Sequence, residues 1–236
     1  MQKALLIVTY MINKEKIFKR NRKMAKYTKI PEATIRRLSN YLKCLGDLET
    51  KNERVASSAL IANICNVNAA QVRKDFAYFG EFGIRGMGYN VKELKRNIKE
   101  ILGINREWRI AVVGIGNMGS ALLVYKDFLK QNYKIVAAFD VQPERVIGHI
   151  SERVGRPVEI LHVERLKEVV KARNIEIGII TTPPQEAQKV ADWLVDANIK
   201  GILNLSPSPV RTPENVKLRN LFFTSALDNL VYYLSN

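Results

Sequence analysis

Three glycines carry the spacing of a turn that cradles phosphates. In the stretch "IAVVGIGNMGSALL", Gly114, Gly116 and Gly119 fit the pattern G-x-G-x-x-G between an apolar run and a helical pattern. The first glycine would permit the tight turn, the second would let a pyrophosphate approach the backbone, and the third would let the helix pack closely on the strand. The start of that helix, at Asn117 and Met118, would offer its N–H groups to the phosphates.

An acid at the end of the next apolar run supports this interpretation. The run "KIVAAFD" ends in Asp140, 21 residues after Gly119, where a carboxylate binds the hydroxyls of the adenosine ribose. Such a carboxylate would repel the 2′-phosphate of NADP(H), so the motif favours NAD(H). A Rossmann-like domain that binds another ligand, such as coenzyme A, is the alternative.

The segments that must position these residues alternate between strand and helix. Predicted strands at "RIAVVG", "KIVAAFD", "PVEIL", "IEIGIITTP" and "IKGILNLS" are separated by helical patterns such as "VERLKEVVKAR" and "PQEAQKVADWLVDAN". This order predicts an α/β fold with a Rossmann-like, doubly wound parallel sheet. Ligands bind beyond the carboxyl ends of such strands, so we expect Thr181, Thr182 and Pro183 to line the nicotinamide side of the site.

The residues that hydride transfer usually needs are missing from this pattern. The two histidines, His149 and His162, lie on either side of the short third strand, and we expect them at the surface or in packing. Cys44 and Cys65 form no CxxC pair and no metal-ligand spacing, which predicts reduced thiols and no bound metal. We therefore expect no catalytic residues and a cofactor that is bound without turnover. An NAD-dependent oxidoreductase is the alternative.

The positive charge of the chain is concentrated in its first half. The net charge is +15, and residues 1–107 hold 22 Lys and Arg against 10 Asp and Glu, whereas residues 108–236 hold 16 against 13. This asymmetry suggests a polyanionic partner for the first half. A well-solvated basic surface would give the same count.

Two short helical patterns in this basic half form a helix-turn-helix candidate. The first is "ASSALIANICN", which Ser57 or Ser58 can cap, and the second runs from Ala69 to about Phe79, with Asn68 as its cap. An amphipathic helix at "IPEATIRRLSNYLKCLGDL" precedes them. We expect the apolar side chains of the two short helices to face the core; these are Leu60, Ile61, Ile64, Val72, Phe76 and Phe79.

Polar residues near the start of the second helix are suited to reading DNA. In a helix-turn-helix this end enters the major groove, where Gln71 could pair with adenine, Arg73 with guanine and Lys74 with phosphate. The glycines of "EFGIRGMGYN" predict a β-hairpin with Arg85 at its tip. A hairpin in this place is a wing, and its arginine could enter the minor groove.

The remaining segments complete the predicted organisation. Residues 1–27 form an N-terminal extension, in which we expect translation to start at Met24, so that residues 1–23 are not native; residues 28–106 form the winged helix-turn-helix domain and residues 107–223 the Rossmann domain. Residues 224–236 form a C-terminal helix. Its apolar stripe predicts dimerisation, although packing within its own chain is the alternative; the stripe consists of Leu227, Leu230, Val231 and Leu234. No stretch approaches the ~18 apolar residues of a membrane span, and we expect a cytoplasmic protein.

The order of these motifs resembles the Rex family of redox-sensing transcriptional repressors of bacteria. The resemblance covers Ile30 to Asn236 and is carried by "IPEATIRRLSNYL", "QVRKDFAYFGEFGIRGMGYNV", "VVGIGNMGSALLVY" and "FDVQPERVIG". The second stretch is the most specific, because it spans the recognition helix and the wing together.

The resemblance implies a homodimer in which the C-terminal helix is swapped between subunits. Family members repress respiratory and fermentative genes when NAD⁺ prevails and leave DNA when NADH binds. The resemblance also implies that Tyr125, in the helix after the glycine turn, takes part in the response to the ligand. Two positions depart from some members: Asn117 stands where they have an arginine, and Phe222 stands where they have an aspartate near the last helix. A switch that depends on a salt bridge is therefore not expected here.

The sequence therefore predicts a homodimeric repressor that binds a palindromic DNA operator and releases it when NADH binds. A DNA-binding protein whose Rossmann domain is only a dimer scaffold is a further alternative.

Overall fold

A helical unit with a small two-stranded sheet is followed along the chain by a unit built on a parallel sheet. The computed structural model describes residues 30–80, 82–84, 86–125, 132–146 and 159–235. The chain divides into the two units between Asn105 and Arg106.

The first unit packs its helices around a buried aromatic centre. Phe76 meets the rings of Tyr41, Phe82 and Tyr89 edge to face, with centroids 5.3, 5.9 and 5.2 Å away. These contacts connect the first helix, the third helix and the segment after it. The elements of this unit are α1 (Glu32–Thr50), β1 (Val55–Ala56), α2 (Ser58–Ile64), α3 (Ala69–Ala77), β2 (Tyr89–Asn90) and α4 (Val91–Ile101).

Side-chain caps fix where the two short helices begin. The Ser57 hydroxyl accepts a hydrogen bond from the Leu60 N–H, and the Asn68 side chain accepts one from the Gln71 N–H, each at 3.0 Å. Both caps confirm the sequence prediction, because a short polar side chain in extended backbone can satisfy an N–H that the helix leaves unpaired.

The predicted apolar face is buried except at Leu60, which is half-buried, and at Ile64. Val72, Phe76 and Phe79 are at most 5% exposed, as expected. The prediction for Ile64 is wrong, since its side chain is 44% exposed. Ile64 lies in the last turn of α2, immediately before the chain reverses direction at Asn66, which has a φ of 49°.

The wing is smaller than the predicted hairpin. In the described residues, a single antiparallel bridge joins Ile84 to Gly88, and the strand that follows, β2, pairs antiparallel with β1 instead. Gly88 has a φ of +89°, and a Cβ there would lie 2.7 Å from the Ala56 carbonyl oxygen, so the close approach of the two segments requires glycine. Arg85, the predicted tip residue, lies outside the described residues.

The second unit contains a six-stranded sheet, whose strands are β3 (Trp108–Val113), β4 (Tyr133–Asp140), β5 (Ile160–His162), β6 (Ile177–Ile180), β7 (Gly201–Asn204) and β8 (Lys217–Asn220). Their order across the sheet is β5-β4-β3-β6-β7-β8, and neighbouring strands are parallel throughout. This is the Rossmann order, with the direction of winding reversing between β3 and β6.

Helices cover both faces of this sheet, which confirms the doubly wound prediction. Leu122 and Leu123 of the helix after β3 pack on the cluster around Val112 and Ile179. The opposite face packs around Phe139 and Leu194. The helices are α5 (Asn117–Val124), α6 (Leu166–Ala172, after a 3-10 turn at Val163–Arg165), α7 (Pro184–Asp196) and α8 (Phe223–Ser235).

Candidate functional site

The glycine turn lies at the point where the strand order reverses. It follows β3, and Thr181 follows the neighbouring strand β6. The Thr181 hydroxyl donates to the Gly114 carbonyl oxygen at 2.6 Å, and the Thr181 N–H donates to the Val113 oxygen at 2.9 Å. The predicted phosphate turn and the predicted nicotinamide-side residues are therefore brought together at the carboxyl edge of the sheet.

The three glycines serve two different purposes. Gly114 has a φ of +92°, and a Cβ there would lie 2.6 Å from a Thr182 methyl carbon; a Cβ on Gly119 would lie 2.2 Å from the Gly114 oxygen. Both positions are closed by the packing of the turn against its neighbours. Gly116 is exposed, and a Cβ there would meet nothing within 4 Å. Gly116 is thus where a bound group can approach the backbone closely.

The helix after the turn presents its N-terminus at the same edge. Gly116 is the N-cap of α5, and no side chain caps this helix. Asn117 and Met118 form its exposed first turn. The positive end of the helix dipole therefore lies where a diphosphate would sit.

Asp140 ends β4 and holds the glycine turn in place. Its Oδ2 accepts the Ile115 N–H at 2.7 Å, and its Oδ1 accepts the Gln142 N–H at 2.9 Å. Sequence reasoning assigned this carboxylate to a ribose and missed its bond to the turn. A carboxylate has about four acceptor sites, so the two roles are compatible.

Two buried hydroxyls follow the strands at this edge. Among the described residues, Thr182 Oγ1 and Ser206 Oγ are the buried side-chain oxygen atoms without a hydrogen-bond partner. Thr182 comes two residues after β6, and Ser206 comes two residues after β7. Unsatisfied buried polar groups are rare and costly, so these hydroxyls fit a site completed by a polar ligand. Pro183 follows as the N-cap of α7.

Within the described residues there is no metal centre, and the one described histidine lies away from the glycine turn. No cluster of His, Cys, Asp and Glu in the described ranges could hold a metal ion. His162 ends β5, the edge strand beyond β4, and accepts the Glu164 N–H at 3.4 Å. His149 lies outside the described residues.

The second candidate site is the recognition helix α3 in the first unit. Arg73 and Lys74 are exposed, and the Arg73 guanidinium donates to the Ser58 hydroxyl at 3.0 Å. Arg73 also lines a groove of ≈ 520 Å³ between α3 and the wing, together with Phe76, Ile84 and Met87. Ser58, which sequence reasoning considered only as a cap, thus holds the predicted base-reading arginine.

Gln71 is half-buried, and its side chain follows the helix towards Asp75. Its Nε2 donates to Asp75 Oδ1 at 2.9 Å. Asp75 is completely buried and also accepts hydrogen bonds from residues of α1. The sequence pattern did not single out this acid, although its spacing of four residues from Gln71 was visible.

The predicted switch and interface residues are exposed in this chain. Tyr125, directly after α5, is 54% exposed. Helix α8 buries none of its residues. Its apolar stripe, which sequence reasoning assigned to an interface, is at least 54% exposed at every position; the stripe consists of Leu227, Leu230, Val231 and Leu234.

Family models match each unit of the chain. A model described as "Putative DNA-binding protein N-terminus" matches residues 29–77, and one described as "CoA binding domain" matches residues 105–208. Among solved structures, RSP in complex with β-NAD⁺ and operator DNA has a TM-score of 0.80 and 34% identity, over 88% of this chain and 94% of that one. RSP in complex with β-NADH has a TM-score of 0.77 and 33% identity, over 88% and 95%.

Curated relatives match nearly the whole length of both partners. The "Redox-sensing transcriptional repressor Rex" of Syntrophobacter fumaroxidans is 50% identical over 210 residues, which cover 89% of this chain and 98% of that protein. The repressor of the same name from Thermus thermophilus is 43% identical over 211 residues, covering 88% and 95%. At this identity and coverage, the chain belongs to the Rex family of redox-sensing transcriptional repressors.

Proposed function

We propose that this chain is a homodimeric DNA-binding repressor that releases its operator when NADH binds. The observation that carries the proposal is the joining, in one chain, of a helix-turn-helix unit and a glycine turn whose central residue, Gly116, is open to a ligand. Relatives of the same architecture hold operator DNA and β-NAD⁺ together in one case and β-NADH in another. The family names supply the regulatory role, and they support a regulator rather than an enzyme.

The chemistry of the second unit favours NAD(H) over coenzyme A. Gly114, Gly116 and Gly119 with the start of α5 would hold the pyrophosphate, and Asp140 would bind the adenosine ribose. Coenzyme A carries a phosphate on this ribose, and NADP(H) does as well, so a carboxylate at this position would repel both. NAD(H), whose adenosine ribose has two free hydroxyls, is the dinucleotide that fits.

Discrimination between NADH and NAD⁺ must arise near the nicotinamide ring. The two forms differ by one hydride and one positive charge there, and a ligand shifts a conformation only by its differential affinity. Thr181, Thr182 and Pro183 line this side with uncharged groups. Removing water from a cationic ring next to uncharged groups is costly, so this lining favours the neutral ring of NADH.

The DNA contacts are proposed for the recognition helix and the wing. Arg73 and Gln71 would read bases, Lys74 would bind phosphate, and Arg85 would enter the minor groove. A homodimer would place two such helices on the half-sites of a palindrome.

No helix in the described ranges is both long and apolar enough to cross a membrane. We place this DNA-binding regulator in the cytoplasm.

A mobility shift on a library of palindromic duplexes, with and without NADH, tests the proposal. The expected result is a retarded complex in the presence of NAD⁺ that is lost on addition of NADH. A protein that enriches no duplex would refute DNA binding. A complex that NADH does not affect would identify the Rossmann domain as a scaffold.

A further inference from the structure

A buried carboxylate lies between the recognition helix and α1. Asp75 is fully buried and accepts hydrogen bonds on both oxygens. Arg37 donates twice, at 2.6 Å to Oδ2 and 2.8 Å to Oδ1, and Tyr41 donates to Oδ2 at 2.8 Å. Thr34 and Gln71 donate to Oδ1 at 3.1 and 2.9 Å. This one side chain thus connects α1 to the first turn of α3.

The ionisation state of Asp75 follows from these partners. Burial opposes ionisation, but the donors from Arg37, Tyr41, Gln71 and Thr34 outweigh it and keep the pKa of Asp75 below its ordinary value. At neutral pH the group is therefore a carboxylate. A carboxylate accepts hydrogen bonds and cannot donate them.

This chemistry fixes which way the Gln71 amide faces. A glutamine amide can present either its NH₂ or its carbonyl to a neighbour, but a carbonyl facing a carboxylate would bring two acceptors together. Gln71 must therefore present Nε2 to Asp75, as the structure shows. Its Oε1 and its second N–H remain for another partner, and the geometry of the pair is set before any partner arrives.

The remaining groups of Gln71 match one base edge in the major groove. Gln71 is the third residue of α3, near the helix end that contacts base edges in this motif. Adenine presents an N6 donor beside an N7 acceptor, which complement Oε1 and N–H; guanine presents two acceptors, O6 and N7. Resting on the proposed DNA binding, we infer that Asp75 fixes the Gln71 amide so that it reads adenine and rejects guanine. Asp75 is thus a positioning residue for base recognition.

Selection of duplexes from a random library by the full-length protein and by Gln71→Ala tests the base assignment. One position in each half-site should lose its preference in the variant, and the wild type should select adenine there over guanine by on the order of tenfold. Guanine or thymine at that position, or no position that changes, would overturn the inference. A wild-type protein that enriches no sequence would instead refute the proposed function.

Asp75→Asn tests the positioning role. Asparagine can donate, so Gln71 would be free to turn, and adenine-over-guanine selection should fall to within about twofold while binding to phosphate continues. Tyr41→Phe is the matched control, because it removes a donor from Oδ2 and leaves the Oδ1 bond to Gln71. An equal loss of selection in Tyr41→Phe, or unchanged selection in Asp75→Asn, would overturn the positioning role.

A second measurement decides the matter if Asp75→Asn does not fold. In the wild-type protein labelled with ¹⁵N, the side-chain amide of Gln71, assigned by its loss in Gln71→Ala, should exchange with solvent at least about tenfold more slowly than that of Gln185, which is exposed. Equal exchange rates would show that Asp75 does not hold the amide in solution and would overturn the inference.

Discussion

At the residue scale, Gly116 stands apart from the other two glycines of the turn, because a side chain there would not disturb the chain itself. We expect Gly116→Val to abolish NADH binding at concentrations that saturate the wild type, through steric exclusion of the pyrophosphate. Its free energy of unfolding should fall by no more than about 1 kcal/mol, since the site is open and the remaining cost is that of a poorer N-cap. Titration of NADH fluorescence and urea unfolding measure the two quantities.

Gly119→Ala is the matched control for this experiment. Its Cβ would lie 2.2 Å from the Gly114 oxygen, which is backbone and has little room to move. We expect a loss of about 1–3 kcal/mol of stability. Wild-type NADH affinity in Gly116→Val would place the dinucleotide elsewhere.

Asp140 anchors the glycine turn and is proposed to bind the ribose, and substitutions can separate the two roles. We expect Asp140→Ala to weaken NADH and to reduce discrimination against NADPH, because it removes both the ribose contact and the anchor on the Ile115 N–H. Asp140→Asn keeps a neutral acceptor for that N–H and loses the charge. It should therefore retain more NADH affinity than the alanine variant while accepting NADPH equally well.

Parallel titrations with the two dinucleotides measure both effects of Asp140. Retention of the wild-type preference for NADH over NADPH in both variants would contradict the assignment of the ribose site.

At the element scale, the recognition helix α3 carries two adjacent exposed cations, Arg73 and Lys74, for which different roles are predicted. If Arg73 reads a base, Arg73→Ala should cost about 1–3 kcal/mol on the preferred duplex and relax the preference at one position. Lys74→Ala should weaken binding evenly across sequences and reduce the salt slope by about 1, because a phosphate contact carries no sequence information. Mobility shifts over a range of salt separate the two, and unchanged affinity in both variants would refute the placement of the helix.

A second element, strand β6, is held at its start by the ion pairs of Glu176, the residue directly before it. The Glu176 carboxylate accepts from Arg106 at 2.6 Å and from Lys200 at 2.7 Å, and these bonds lower the pKa of Glu176 to about 2. An unpaired glutamate has a pKa of about 4.3. The depressed pKa therefore stabilises the folded unit above about pH 4, and the contribution is lost as pH falls towards 2.

Glu176→Gln should accordingly lower the stability of the second unit by about 1 kcal/mol at pH 7, and the difference from wild type should shrink as pH falls from 4 to 2. Trp108 and Trp193, the two tryptophans, both lie in this unit, so their fluorescence follows its unfolding in urea. Glu164→Gln, at a side chain that is 85% exposed, is the control. A difference that stays constant from pH 7 to pH 2 would show that the ion pairs do not stabilise the unit.

Features determined by residues nearby in the chain could be predicted from the sequence, whereas features determined by residues far away in the chain could not. The caps at Ser57 and Asn68 depend on residues within three positions, and they were predicted. Strand β8, with the sequence "KLRN", was not, because a short edge strand is specified by its neighbour β7 and lacks an apolar run. Asp75 was missed for the same reason: its burial depends on Arg37 and Tyr41, more than 30 residues earlier.

At the scale of the whole molecule, helix α8 leaves an apolar stripe exposed, and burial of this stripe in an interface would be stabilising. Full burial of each side chain of the stripe would stabilise the association by about 1.5–3 kcal/mol. The stripe consists of Leu227, Leu230, Val231 and Leu234. Exposure of a contiguous apolar stripe in a single chain marks an interaction surface. A second copy of the chain supplies a surface of the required character, because the same stripe is exposed on it.

Deletion of Thr224 to Asn236 tests whether this helix both joins the subunits and carries the signal. On the proposed function, NADH binds at the carboxyl edge of the sheet, and its effect must reach two recognition helices on half-sites about one or more helical turns apart, so the interface between subunits must move. We expect the truncated protein to sediment largely as monomer and to give a weak mobility shift that NADH does not alter. It should still bind NADH, because Gly116 and Asp140 are retained, and this distinguishes lost coupling from lost folding. A truncated protein that stays dimeric and still releases DNA with NADH would place the coupling in another interface, with helix α4 as the first candidate.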